Sequence, residues 1–417
     1  MKIGYACIPL GVDWSTNRKM SLKNFSSEKF LEITNLNLED LRNILEYNIQ
    51  NNIYLFRISS DIIPFGSHSV NNILWQKIFK NQLEDIGIFI KKNKIRVSMH
   101  PGQYTVLNSP SEEIVKRAIK DIEYHTQFLD SLCLDYSHKI VVHLGGGYSD
   151  KVESIKRFIK NFKMLSESAK KRLVIENDER IFNFDDVLYA SDALNIPIVF
   201  DYFHHLINPV DRDLKEILSS ANKTWKREDG NIKIHYSEQS RIKKTGSHSE
   251  FIETAKFLKF YNTIKEFDPD IMLETKDKNI SAIKCICLIS GSKSKLYNEW
   301  AKYKYLVMEK NYGLYKECSK ILNTTYDAEK FYNKIDEALL SPFNEGNFKN
   351  TLLHVWGYFK DKATEKEENK FFELLNKKEF YKSKQFLYKL SKKYKVQYLI
   401  DSYYFIYDNL YMQKELS

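Results

Sequence analysis

Short apolar runs recur at a steady interval along the first two thirds of the chain. They are KIGYACI (2–8), IYLFRIS (53–59), RVSMH (96–100), KIVVHLG (139–145), RLVIEN (172–177), IPIVFDY (196–202), IKIHYS (232–237) and IMLETK (271–276). Most are continuous rather than alternating, which predicts strands buried on both faces. Between them, over 38–51, 72–93, 112–132, 152–170, 184–194, 211–226 and 249–266, the patterning predicts helices, and 278–290 supplies a last one. Eight strand–helix units predict an α/β fold, a closed (β/α)8 TIM barrel rather than an open doubly wound sheet. The segment 11–37 reads as a long connection after the first strand.

From about residue 296 the strand-like runs stop and periodic apolar residues predict several helices. The expected organisation is a barrel domain over 1–295 and a small all-α domain over 296–417. Tyr and Lys accumulate in the second part, as in WAKYKYLVMEKNYGLYKE and KKYKVQYLIDSYYFIYDNLY. Such a pattern serves either to stack on and neutralise nucleic acid or to fill the core and rim of a helical bundle.

Composition narrows the picture. At 417 residues the chain exceeds one ordinary core, and 43% hydrophobic content argues against wholesale disorder. A net charge of +9 suits a polyanionic partner, although a Lys-rich composition alone also produces it. The five cysteines are scattered without a CxxC pair, so no disulfide framework is expected, and Cys285 and Cys287 in IKCICLI read as buried thiols. No run approaches ~18 apolar residues, and the N-terminus reads as a first strand rather than a signal peptide. The expected compartment is a reducing cytoplasm. Arg18, Lys19 and Lys23 near Trp14 suit a phosphate backbone or an ordinary solvated loop.

The chemistry lies where the strands end, the rim on which such barrels build active sites. The second strand leads to His68, the third ends at His100, the fourth at His143 and the fifth at Glu176. The sixth ends in Asp201, followed by His204; the seventh carries Lys233 and His235, with His248 beyond; the eighth ends at Glu274. Any one of these reads as a satisfied core polar group. Together they would be costly to bury without cations, so a multi-metal site is expected. Imidazole with carboxylate and no thiolate suits Mn, Fe or Zn. More than one ion is needed for so many groups, with Glu176 or Asp201 as a bridge, and paired ions activate water for phosphodiester hydrolysis. His205 reads as a packing residue, and His125, His138 and His354 have no assigned role. Gly145, Gly146 and Gly147 form either a phosphate-accepting turn or a flexible one. After His100, Pro101-Gly102 turns the chain and presents Gln103 and Tyr104, an amide and a flat ring suited to a nucleotide.

FRISSDIIPFGSH, MHPGQYTVLNSP, VVHLGGGY, VIEND, FDYFHH, KIHYSEQS…GSHSEF and LETKDK resemble the motifs of the UV damage endonuclease family, in order, across the whole barrel. The resemblance implies a repair enzyme that nicks damaged double-stranded DNA immediately 5′ of UV photoproducts and also of abasic sites. It implies a site of two to three divalent ions, usually Mn²⁺. The ligands it implies are His68, His100, His143, Glu176, Asp201, His204, His235, His248 and Glu274, with Glu176, Lys233 and His68 as catalytic residues. The family's lysine that can be carboxylated falls on Lys233. Its Gln-Tyr pair, inserted at the lesion, falls on Gln103 and Tyr104, and a tyrosine that probes the damaged strand falls on Tyr5. Pro9 stands where some members have an asparagine, so that lesion contact does not carry over. Residues 297–412 resemble a helical domain of unknown function. Two other readings remain: a metal-dependent sugar isomerase or epimerase on a related barrel, and a damage-binding protein without catalysis.

Overall fold

A computed structural model describes residues 1–412, so the last five residues of the expected 296–417 domain lie outside the described residues. Eight parallel strands close in sequence order: β1 (Ile3–Ala6), β2 (Leu55–Arg57), β3 (Arg96–Met99), β4 (Lys139–His143), β5 (Leu173–Glu176), β6 (Ile198–Asp201), β7 (Lys233–Tyr236) and β8 (Asp270–Leu273). The fold is the (β/α)8 barrel followed by helices. By chain contacts it divides into two compact units. One holds 1–9, 13–252 and 259–283; the other holds 10–12, 253–258 and 284–417.

In the first unit, strand periodicity sorts the interior into layers. Successive side chains alternate faces, so Lys139, Val141 and His143 share one face of β4, and Val174 and Glu176 share one face of β5. Val141, Val174 and Val199 meet in a fully buried cluster against which Trp225 packs. This apolar layer separates two charged rims. At the lower rim, where the strands begin, the Arg96 guanidinium donates to Ser137 O, Asn231 O, Asp229 O and Asp270 Oδ2 at 3.1, 2.6, 2.7 and 2.9 Å. Lys139 pairs with Asp229 and donates to Lys171 O at 2.7 Å. His138 Nδ1 accepts the Val97 N–H at 3.1 Å.

The expected connection over 11–37 is half helix. A helix starts at Ser27 and runs to Gln50. Ser26 caps it by accepting the Lys29 N–H, and Phe30, Ile33, Leu38, Leu41, Ile44 and Leu45 form its buried face. Arg18 donates to Asp40 Oδ2 at 2.5 Å and to Ser15 O at 2.5 Å, which pins the shortened loop. The helix expected over 152–170 is two, because Ser166 caps a new start at Glu167. An unexpected short helix, Tyr202–Ile207, follows β6 and is capped by Asp201.

The second unit is helical: Lys293–Lys310, Tyr312–Thr324, Ala328–Leu339, Glu345–Trp356, Glu365–Asn376, Phe380–Lys393, Gln397–Ile400 and Tyr403–Met412. Asn311 separates the first two helices by accepting the N–H groups of Gly313 and Leu314. A buried ion pair, Lys384 Nζ to Glu309 Oε2 at 2.8 Å, ties the first helix to Phe380–Lys393.

Candidate metal centre

Strand register assembles the upper rim. His143 pairs with Glu176 across β4 and β5, and Asp201 pairs with His235 across β6 and β7. His100 Nε2 lies 3.1 Å and His143 Nε2 3.7 Å from Glu176 Oε2. The other Glu176 oxygen lies 2.5 Å from His235 Nδ1, which is also 3.3 Å from Glu274 Oε1 and 4.0 Å from Asp201 Oδ2. Glu176 is thus central to the two groups of side chains among the described residues that could hold an ion: His100, His143 and Glu176, and Glu176, Asp201 and His235. His204 and His248 stand alongside, with ring centroids 6.3 Å apart, and His204 is 5.8 Å from His143.

The hydrogen bonds behind the histidines fix which nitrogen faces the rim. Nδ1 of His100 bonds Pro101 O at 3.0 Å, Nδ1 of His204 bonds Asn177 O at 3.0 Å, and Nδ1 of His248 bonds Glu274 O at 2.7 Å. A carbonyl oxygen can only accept, so each Nδ1 carries a proton. In the neutral ring Nε2 then offers its lone pair, the usual support for a metal-binding histidine.

What the rim lacks is equally informative. Asp201 is fully buried; Oδ1 accepts the His204 N–H at 2.7 Å, but Oδ2 has no hydrogen-bond partner, and neither has Lys233 Nζ nor His143 Nδ1. Buried polar atoms left so cost on the order of 1–3 kcal/mol each. A cation would satisfy the carboxylate oxygen, so the donor set fits divalent ions. Burial pushes the Asp201 carboxyl well above its ordinary range. Burial also opposes ionisation of Glu176, but His235 and His143 outweigh it and hold the carboxyl well below that range. For His204, burial is outweighed by Asp201 and Glu176, which lift the imidazole to about 9.

Lys233 is wholly buried, and burial, helped by Arg96 and Arg57, pushes its amine well below the ordinary lysine range. A neutral amine is a nucleophile, which suits carboxylation. Sequence reasoning missed Arg57. Its guanidinium pairs with Glu274 and lies 3.0 Å from His235 Nε2, and its only signal is a cation inside the apolar run LFRI. It also missed Asn177, whose side chain brackets the backbone of Asp201 with two hydrogen bonds of 2.9 Å.

The remaining predicted residues lie on loops. His68 is exposed on the turn after β2, its Nδ1 accepting the Val70 N–H at 3.0 Å; it joins neither group. Gln103 and Tyr104 are exposed, Tyr104 at 74%. The Tyr104 ring folds back over Gly102, where a Cβ would sit 2.5 Å from its Cε1. Asp121 anchors this turn and the His68 turn together, accepting from Thr105 Oγ1 at 2.6 Å and Ser67 Oγ at 2.8 Å. A cleft of about 450 Å³ lies beside them, lined by Arg18, Lys19, His68, Tyr104, Arg117 and Lys120. The glycine turn after β4 is clamped, because the Asn108 amide donates to Gly146 O and accepts from Gly146 N. Tyr5 corrects an expectation. It is fully buried, its hydroxyl donating to Asn48 Oδ1 at 2.8 Å and its ring edge-on to Phe56, and it offers no surface to a DNA strand.

The family described as UV-endonuclease UvdE matches residues 7–295, and a protein of unknown function, DUF1722, matches 304–407. A UV DNA damage endonuclease of Clostridium perfringens (strain 13 / Type A) is 54% identical over 401 residues, covering 94% of this chain and 96% of that protein. One from Bacillus cereus (strain G9842) is 32% identical over 301 residues, covering 70% and 95%. The crystal structure of SacUVDE superposes with a TM-score of 0.67 at 41% identity, over 69% of this chain and 98% of that one. With the rim that strand register builds, these likenesses lead to one conclusion: the chain belongs to the UV DNA damage endonuclease family.

Proposed function

We propose that this chain nicks the phosphodiester immediately 5′ of UV photoproducts, cyclobutane dimers and 6-4 products, and of abasic sites, with two to three divalent ions, Mn²⁺ foremost, at the upper rim. The observation that carries the reading is the set of three imidazoles with Nδ1 committed to a carbonyl, facing buried carboxylates of which one oxygen has no partner. His100, His143, Glu176, Asp201, His204, His235, His248 and Glu274 would hold the ions, with His68 joining from its turn. Bound there, such ions supply an activated water and charge neutralisation for a phosphoryl displacement.

The chain's own groups do the rest. Glu176 turns its two oxygens toward different histidines, the disposition a bridging ligand needs. Asn177 and the backbone carbonyls hold the rings in register. Lys233, neutral and unpartnered, adds CO₂ at Nζ with loss of a proton and becomes an anion that faces the cations. Gln103 and Tyr104 enter the stack vacated by a displaced base. A lesion that stacks poorly lowers the cost of that displacement, which is where selectivity arises. The substrate is damaged duplex DNA, handled by residues 1–295, with 296–417 as an accessory helical domain.

The test is an end-labelled duplex bearing one thymine dimer, incubated with protein with and without Mn²⁺, against undamaged duplex. A Mn²⁺-dependent cut just 5′ of the dimer is expected. No cut on dimer or abasic DNA, from folded and metal-loaded protein, overturns the reading.

A further inference from the structure

We propose that the helical unit binds single-stranded nucleic acid on a strip of tyrosines and lysines that no carboxylate pairs with. The strip spans the Lys293–Lys310 and Tyr312–Thr324 helices and the ends marked by Tyr358 and Tyr398. The inference does not rest on the metal reading of the barrel.

The first observation is charge. Residues 284–417 contain 24 Lys and no Arg against 17 Asp and Glu, so they carry +7 of the chain's +9. Much of that lysine is spoken for: Lys334, Lys377 and Lys393, for instance, each pair with a carboxylate. Lys304, Lys316 and Lys320 make no ion pair among the described residues, and two of them sit on aromatic rings. Lys304 Nζ lies 4.8 Å from the centroids of both Tyr305 and Tyr398, and Lys316 Nζ lies 4.8 Å from that of Tyr312.

The second observation is the rings. Tyr312 and Tyr315 stack at 8° with centroids 5.6 Å apart, and Trp300 continues the series 5.3 Å from Tyr315. Tyr358 and Tyr398 form a second stacked step at 18° and 6.0 Å. Tyr358 accepts a hydrogen bond from Tyr305 at 3.0 Å. The two steps are neighbours. Trp300, against Tyr315, and Lys304, against Tyr398, lie one turn apart on the Lys293–Lys310 helix. Tyr312 is 36% exposed at the outer end. A purely structural cluster would bury its rings and pair its lysines. This one leaves Tyr312 exposed and Tyr315, Tyr358 and Tyr398 part-exposed beside lysines that no carboxylate neutralises, the combination that grips unpaired bases and their phosphates. A duplex keeps its base faces covered, so a single strand is the occupant that uses both features.

The test uses the full chain in EDTA, which prevents cleavage, with fluorescein-labelled dT15 followed by anisotropy at 50 and 200 mM salt. The parent should bind, more weakly at high salt. Tyr312→Ala combined with Lys304→Gln and Lys316→Gln should weaken binding by ~10-fold or more. Tyr312→Phe, which keeps the ring, should bind as the parent does. Removing two lysines off the strip, Lys366→Gln with Lys370→Gln, should change affinity by less than about twofold. The proposal fails if the parent ignores dT15. It fails equally if the folded triple variant binds like the parent, or if the off-strip pair weakens binding as much as the triple does.

Discussion

The two rims of the barrel carry similar residues and end in opposite states. Arg96 and Lys139 at the lower rim leave no buried nitrogen without a partner. At the upper rim Asp201 Oδ2 and His143 Nδ1 are left open, and below them so is Lys233 Nζ, from the start of β7. The same eight strands build both, a few residues apart, with the Val141–Val174–Val199 layer between. The rims therefore differ less in charge than in how far their charged groups are satisfied. A buried polar network that closes on itself holds the barrel, and a carboxylate oxygen left outside one fits the divalent ions proposed for the upper rim.

Substitutions at the two rims should separate these roles. The largest effect is expected from Glu176→Gln, which replaces the central carboxylate by a poor bridge. Nicking of dimer-containing duplex should fall by at least ~10³-fold, over about 4 kcal/mol at 1.4 kcal/mol per tenfold, with the circular dichroism spectrum unchanged. Near-normal turnover would remove Glu176 from the reaction. At the lower rim, Arg96→Met strands the Asp270 carboxylate. Urea unfolding should show a loss of about 3–5 kcal/mol, while the folded fraction still nicks; a silent folded fraction would erase the distinction between the rims.

The lower rim also predicts an acid limit. Burial pushes the His138 imidazole down to about 3, so the folded protein keeps it neutral where the unfolded chain, at an ordinary 6.5, takes up a proton. The contribution is fully present above about pH 6.5 and is lost as pH falls toward 3, at up to about 1.4 kcal/mol per pH unit. His138→Gln should flatten that slope in melts recorded from pH 7 to 4; an unchanged slope would assign acid sensitivity elsewhere. The smallest effect concerns Tyr104→Ala. The preference for dimer over undamaged duplex should shrink by about tenfold, the worth of one stacked ring. Metal content, by elemental analysis, should stay constant, and unaltered discrimination would dismiss the wedge role.

The upper rim was legible because most of the proposed ligands end apolar runs, and strand ends in a closed parallel barrel must share a rim. His100, His143, Glu176, Asp201, His235 and Glu274 needed only the strand count and their positions. Arg57 escaped because its partner Glu274 is 217 residues away and pairing across a closing barrel leaves no local trace. Asp121 escaped because it lies inside a helix whose pattern reads as ordinary amphipathicity. Tyr5 shows the converse limit: a motif match gives a position, but the inward or outward turn of a strand residue depends on what its neighbours fill. The start of the Ser27–Gln50 helix was readable in principle from its Ser26 cap and buried face, and was masked by the basic cluster before it.

Gly102 has a consequence for binding kinetics. Because the Tyr104 ring rests on a residue without a side chain, the free protein already holds the proposed lesion reader in a compact turn fixed by the Thr105–Asp121 hydrogen bond. Little loop ordering remains for the encounter itself, and a preorganised reader can sample many undamaged steps with short dwell times before one yields. On the proposed reading, a bulkier residue at 102 would displace the Tyr104 ring and slow the search while leaving the rim residues in place.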